Sequence, residues 1–324
     1  MYLCAEFLFM DDFIFSVNVV APLFLLMAAG YVARRFNLVS DKFLSEATSF
    51  VFRFLLPLML FQNIRTVFYG NFYNISLVFA AISGISVIII ASFIFVPLFV
   101  KRNGQRGSMI QGIYRSNFVI YGMPLATGMY GHEAAYSIAM LLCLTVPIYN
   151  TVAVITLSLF SETRTKRFSL VQLATDIVRN PLILGCVTGI IFGVYRIDLP
   201  SAINQPISEL AAAASPLALF LMGGDFTFRS LNNNLLKVFL ATIVRLIIIP
   251  LVAVIVFIPM GFRNIELSVL LCLFATPTAV ASYIMASNMG CDGELAGQIV
   301  VMTTTFSCFS IFLFIFVLRS FGFL

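Results

Sequence analysis

Apolar runs of twenty or more residues recur from one end of the chain to the other, separated by short polar connections. About twenty helical residues cross the hydrocarbon of a bilayer. The pattern therefore predicts ten spans at roughly 14–35, 42–64, 74–100, 107–130, 133–160, 172–195, 201–224, 235–259, 265–289 and 294–320. The runs do not alternate as the strands of a membrane barrel do, so the expected fold is all-α. The longest hydrophilic connection, SETRTKRFS over 161–169, divides the spans into two groups of five. This organisation makes residues 1–161 a first five-helix unit, 162–169 a short central cytoplasmic loop and 170–324 a second five-helix unit.

Two of the spans carry a break signal. The stretch RSNFVIYGMPLATGMYG over 115–131 contains Pro124, and ATPTAVASYIMASNMG over 275–290 contains Pro277. Proline removes a backbone donor and clashes with the carbonyl four residues earlier, so a helix must bend or break there. Interrupted backbone survives at membrane depth only where protein or a wet cavity surrounds it, which makes these stretches the expected solute site. The two groups of spans also repeat. An offset of 159 carries Pro22-Leu23 onto Pro181-Leu182, Gly30 onto Gly189, Pro57-Leu58 onto Pro216-Leu217, Phe61 onto Phe220 and Gly131 onto Gly290. Five spans per unit means that the second unit starts from the opposite face, an inverted repeat. The prolines themselves differ by 153, so the two breaks are expected to correspond in role but not residue for residue.

Composition and charge place this pattern in a membrane. Hydrophobic residues make up 61% and charged ones 10%, against about 25% charged in soluble domains, and mean hydropathy is +1.04. Glu6, Asp11 and Asp12 ahead of the first apolar run argue against a cleaved leader, which begins with positive charge. The formal charge of +5 is spread between the apolar segments, so topology explains it and nucleic acid does not. Arg34, Arg35, Lys42, Lys101, Arg102, Arg106, Arg164, Lys166, Arg167, Arg229 and Lys237 fall on one side, and Arg65, Arg196, Arg263 and Arg319 on the other. The basic side is cytoplasmic, which puts both termini outside. Cysteines 4, 143, 186, 272, 291 and 308 form no CxxC pair and read as packing residues rather than a disulfide or metal framework.

The stretches RSN…GMPLATGMYG, NPLILGCVTGI…LP…SPLALFLMGGDF and PTAVASYIMASNMGCDGELAGQIVVMTT keep their order and spacing over nearly the whole chain. Together they resemble the auxin efflux carrier family, whose members include bacterial malonate and malate carriers and the plant PIN exporters. The resemblance implies an all-α integral membrane protein of ten transmembrane helices in two inverted five-helix repeats, like sodium/proton antiporters and bile-acid symporters. Spans 1, 2, 6 and 7 would form a scaffold, and spans 3–5 with 8–10 a moving transport unit in which spans 4 and 9 break and cross. It further implies a homodimer in the plasma membrane, the inner membrane in bacteria, since the short central connection is similar to that of bacterial members. Many members carry an asparagine four residues before the span 4 proline and another four after the span 9 proline. Those positions here are Ile120 and Ala281.

A break leaves helix-end N–H groups unpaired and partially positive, a setting that suits a small organic anion. The candidate substrate-binding residues are Asn117, Tyr121, Met123, Pro124, Thr127, Thr276, Pro277, Thr278, Ser282 and Tyr283. Against this stand the ordinary roles of these types: serine and threonine bond their own helix, and tyrosine anchors at the interface. Ionisable groups inside the spans are Glu46, Arg53, Arg115, Asp176, Arg179, Glu209 and Arg245. Arg53 and Arg245 lie deep enough to require a partner or a water path. Arg115 stands nine residues before Pro124, about 13 Å along a helix, which suits attraction of an anion at the cytoplasmic mouth. Glu209 is the candidate for ion coupling, by proton if not sodium, with snorkelling to the outer interface or pairing with an arginine as its bland alternative. Gly185, Gly189 and Gly193 mark a close helix contact, within the scaffold or between protomers.

The function these features imply is secondary transport of a small carboxylate by alternating access, with no cofactor. A sensor or channel on the same fold is the alternative. A membrane-embedded enzyme has less behind it: the chain has one histidine, His132, no HExxH, no Walker motif and no close acid pair at depth.

Overall fold

The computed structural model describes the backbone of residues 2–69, 74–162, 175, 179–224 and 234–324, and their side chains except at 2–9, 67–69 and 132. Arg164, Lys166, Arg167, Asp176 and Arg229, and the side chains of Cys4, Glu6 and His132, lie outside the described residues. Every regular element described is helical. In chain order they are α1 (Tyr2–Arg35), α2 (Asp41–Phe50), α3 (Leu56–Tyr69), α4 (Ile75–Phe99), α5 (Asn103–Tyr114), α6 (Met123–Phe160), α7 (Pro181–Val194), α8 (Ser201–Gly224), α9 (Leu235–Ile243), α10 (Ile249–Phe257), α11 (Asn264–Ala275), α12 (Ala281–Asn288) and α13 (Gly293–Ser320). Seven described stretches are long and apolar enough to cross a membrane: Met10–Arg35, Asp41–Thr66, Ile75–Phe99, Glu133–Phe160, Ser201–Gly224, Leu235–Phe257 and Gly293–Ser320.

Helix starts follow short polar caps that take up orphan N–H groups. Phe43 N–H donates to Ser40 Oγ, Leu77 N–H to Asn74 Oδ1, Leu182 N–H to Asn180 Oδ1 and Leu295 N–H to Asp292 Oδ1. Pro181 then opens α7 at a position where no N–H is needed. Single π turns join α2 to α3 (Val51–Leu55) and α9 to α10 (Val244–Ile248), and a third, Phe118–Gly122, precedes α6. α6 is kinked at Tyr130 and at Gly131, whose φ of 64° favours glycine, close to the expected boundary between spans 4 and 5.

Close helix contact rests on glycines. A Cβ on Gly30 of α1 would lie 1.8 Å from the Phe220 carbonyl of α8, and one on Gly189 of α7 would lie 2.9 Å from the Phe61 carbonyl of α3. Gly223 and Gly185 meet the backbones of Met27 and Pro57 in the same way. The Gly185/Gly189 face is therefore used inside the chain, against α3, which decides between the two readings left open by the spacing.

Two of the expected spans, the fourth and the ninth, are interrupted. α5 ends at Tyr114 and the next helical turn starts at Phe118; α11 ends at Ala275 and α12 starts at Ala281. The second break contains Pro277 as expected. The first lies at 115–117, ahead of Pro124, which instead stands in the first turn of α6 after the π turn. The helical run has already begun at Phe118, so Pro124 lies inside it, directly after the π turn in which regular i→i−4 bonding is already interrupted. The offset of 159 carries Tyr114 to within two residues of Ala275, so the breaks correspond more closely than the two prolines suggest.

Candidate functional site

The two breaks touch. Asn117 N–H donates to the Pro277 carbonyl at 2.8 Å and Ala279 N–H donates to the Arg115 carbonyl at 3.1 Å, an antiparallel bridge centred on Ser116 and Thr278. Backbone groups freed by the loss of helix thus satisfy one another where water is scarce. Side chains tie the crossing further. The Ser116 and Thr276 hydroxyls are hydrogen-bonded, Thr278 Oγ1–H donates to the Gly112 carbonyl at 2.6 Å, and Thr278 N–H donates to Thr303 Oγ1 at 3.2 Å.

Two buried guanidinium groups stand at this crossing. Arg115, 6% exposed, donates to Asn150 Oδ1 and to Met285 Sδ, each at 2.7 Å. It stands in the break itself, not a dozen ångströms outside it, because the break begins there. Arg245, 0% exposed, lies on the π turn between α9 and α10 and donates to the carbonyls of Thr276 (2.9 Å), Ile113 (3.2 Å) and Leu273 (3.3 Å). Neither pairs with a carboxylate among the described residues. The expectation that Arg245 requires partners holds, and the partners are main-chain carbonyls. Arg53 differs: it is exposed.

Beside the crossing lies an open cavity of about 270 Å³. One wall is Thr48, Val51 and Phe52 with Ala218, Leu221 and Met222 of α8; the other is Ile120, Val280, Tyr283 and Ile284 with Gly297, Val300, Val301 and Thr304 of α13. The lining is mostly apolar and carries no ionised side chain. Thr304 Oγ1 on this wall, and Ser282 Oγ in the first turn of α12, are buried with no hydrogen-bond partner. Among the described residues no group of three or more His, Cys, Asp or Glu side chains is arranged to hold a metal.

The sequence-derived candidates divide accordingly. Asn117, Thr276, Pro277 and Thr278 meet at the bridge. Asn117 Nδ2–H donates to Met222 Sδ at 3.5 Å, so it backs the cavity wall through that methionine. Tyr283 lines the cavity, and so does Ile120 at one of the two positions where the family pattern has asparagine. Tyr121 points elsewhere, its hydroxyl donating to Met27 Sδ of α1 at 2.9 Å, and Met123 Sδ faces Asn63 of α3. Thr127 Oγ1–H donates to the carbonyls of Met123 and Pro124 in its own helix. Glu209 is exposed, accepts a bond from Gln205 one turn earlier, and is not brought to the crossing. Sequence reasoning missed Thr48, Phe52, Met222 and Thr304, which come from spans with no break; a threonine or methionine in an intact apolar run carries no local signal.

The sequence profile of a family described as membrane transport protein matches residues 15–315. The chain is similar to a Rhizobium meliloti (strain 1021) protein provisionally named a malonate transporter, 22% identical over 94% of this chain and 96% of that protein. It is also similar to an uncharacterized transporter of Methanocaldococcus jannaschii, 22% identical over 90% of this chain and 95% of that one. An uncharacterized transporter of Methanothermobacter thermautotrophicus is 29% identical over 38% of this chain and 40% of its own length.

Proposed function

Since the chain belongs to the membrane transport protein family, the family of the auxin efflux carriers, we propose that it is a secondary carrier of a small organic carboxylate, acting by alternating access in the plasma membrane. The observation that carries this reading is the touching pair of breaks, with Arg115, a buried guanidinium without a carboxylate partner among the described residues, standing in one of them, beside a cavity. The π turn at Phe118 and α12 at Ala281 both begin at the crossing, and their first N–H groups supply partial positive charge for an anion. The cavity is small beside the ~300–1,000 Å³ of drug-sized sites, which favours a small solute. The buried hydroxyls of Ser282 and Thr304, which have no partner among the described residues, can donate to and accept from a polar solute.

The finer architecture belongs to the same proposal. Gly30 against Phe220 and Gly189 against Phe61 are the same contact made twice, because the offset of 159 exchanges the two glycines and the two phenylalanines. That reciprocity supports ten spans in two inverted five-helix repeats, with α1–α3, α7 and α8 as scaffold and the remaining helices as the transport unit. The cavity lies between them, and its lining comes from the end of α2 and the π turn after it, the end of α8, the π turn that follows the first break, the second break with the first turn of α12, and the first half of α13. With the basic connections cytoplasmic and both termini outside, this is the inward-facing state. The family and the names of its relatives speak for transport rather than catalysis.

Ligand-dependent stability in nanodiscs tests the site. Malonate and a series of monocarboxylates are titrated against thermal unfolding, with chloride at matched ionic strength as control. At least one carboxylate is expected to raise the melting temperature with concentration, as binding to the native state requires. Thr304→Val, which removes one hydroxyl at nearly constant volume, is expected to weaken that binding by roughly three- to tenfold. No shift with any carboxylate would contradict the reading.

A further inference from the structure

The full burial of Arg245 inside the spanning stretch Leu235–Phe257 is strongly unfavourable for a cation unless its surroundings compensate for lost water. Among the described residues its three hydrogen bonds all go to main-chain carbonyls, and the position of those carbonyls is the informative point. Ile113 is in the last turn of α5, Leu273 is in the last turn of α11, and Thr276 is the first residue beyond α11. Each interrupted helix ends there with about half a unit of negative charge from its aligned peptide dipoles. Two such ends converge, and one guanidinium balances them. The π turn Val244–Ile248 carries Arg245 and takes it off the regular helical register, as π turns do at functional positions.

Carbonyls at broken helix ends near mid-membrane are also the ligands that a dehydrated sodium ion takes in carriers built on interrupted helices. In this chain an N–H already occupies each of three of them. We infer that Arg245 is the resident cation of the crossover: it joins the C-terminal ends of α5 and α11 and fills the position a coupled sodium ion would otherwise take, so the protein works without sodium. The opposite ends of the crossing, where the Phe118 turn and α12 begin, have no carboxylate bonded to them among the described residues. The crossover is thus closed to cations and open to an anion. The inference rests on crossover geometry and does not depend on which anion is carried.

The test uses full-length protein in nanodiscs and reads thermal unfolding, so its failure is separable from failure of the carboxylate reading. Wild type is expected to melt at the same temperature in sodium chloride and in choline chloride of equal ionic strength. Arg245→Ala is expected to melt about 5–10 °C lower, and to regain part of the loss in a few millimolar guanidinium chloride, which leaves wild type unchanged. Arg245→Lys keeps the charge but not the planar fork that reaches three carbonyls, and falls between the two. Sodium-specific stabilisation of wild type would overturn the inference, as would an alanine variant that melts like wild type. Should the alanine variant not accumulate, the lysine variant and the wild-type sodium comparison decide: a lysine variant as stable as wild type refutes the three-carbonyl role.

Discussion

Cys291 shows how much of a residue's chemistry depends on neighbours that its own segment does not name. It lies in the connection between α12 and α13, outside the spans, with Asp292 N–H donating to the Gly104 carbonyl and Glu162 N–H to the Gly290 carbonyl. Burial, and then the Glu162 and Asp292 carboxylates, push its thiol up to about 12 from the ordinary value of 9.0. Below that value the thiolate fraction rises about tenfold per pH unit. Alkylation of Cys291 by N-ethylmaleimide, followed by peptide mass spectrometry, is therefore expected to keep accelerating from pH 7.5 to beyond pH 10. A rate that levels off near pH 9 would show an ordinary thiol and a connection that is not docked. Sequence position alone set Cys291 apart from the cysteines in apolar runs, but the carboxylate of Glu162, 129 positions away, was not legible. Arg245 is the counterpart at the crossing: its depth could be read from the apolar run around it, while its partners, being backbone carbonyls of other segments, leave no trace in residue type.

At the scale of elements, proline with small polar residues around it pointed to the two broken segments but not to where each breaks, and Pro22, Pro97, Pro147, Pro206 and Pro216 sit inside helices with no break at them. Pro277 lies in its break, whereas Pro124 opens the helix that follows one. The difference is physical: the helix continues past Pro124 because the π turn Phe118–Gly122 just before it already departs from i→i−4 bonding. The glycines were more informative, since a Gly shared by two spans at one offset marked a real contact on both. That contact yields a prediction. Gly30→Ala would set a Cβ 1.8 Å from the Phe220 oxygen, so α1 and α8 must separate, at a cost of about 1–3 kcal/mol or more. Gly128→Ala in α6 would meet Val19 at an ordinary 3.6 Å and gains helix propensity of roughly 0.5–1 kcal/mol. Thermal melts are expected to fall for the first and hold or rise for the second; equal melts would deny the close α1–α8 contact.

At the scale of the molecule, hydropathy was enough to show an all-helical membrane protein, because twenty apolar residues in a row have few other uses. The cavity was not legible to the same degree. It forms where intact spans meet broken ones, and Thr48, Met222 and Thr304 look in the sequence like any residues of an apolar run. One feature at the far end complements it. Arg319 of α13 pairs with Asp12 of α1 at 2.8 Å and lies over the Phe15 ring, joining the proposed transport unit to the proposed scaffold at the end away from the basic connections. The protein is thus tied there and open beside Thr48 and Thr304, which fits the proposed alternating-access cycle. Counterflow in proteoliposomes tests that account most directly. Vesicles are loaded with an unlabelled carboxylate and exposed outside to the labelled one, across malonate and a series of monocarboxylates. The account predicts saturable uptake of at least one, accelerated by the internal carboxylate and lost on filling the cavity with Thr304→Phe; uptake no greater than in protein-free vesicles for all of them, or flux without saturation or acceleration, would contradict it.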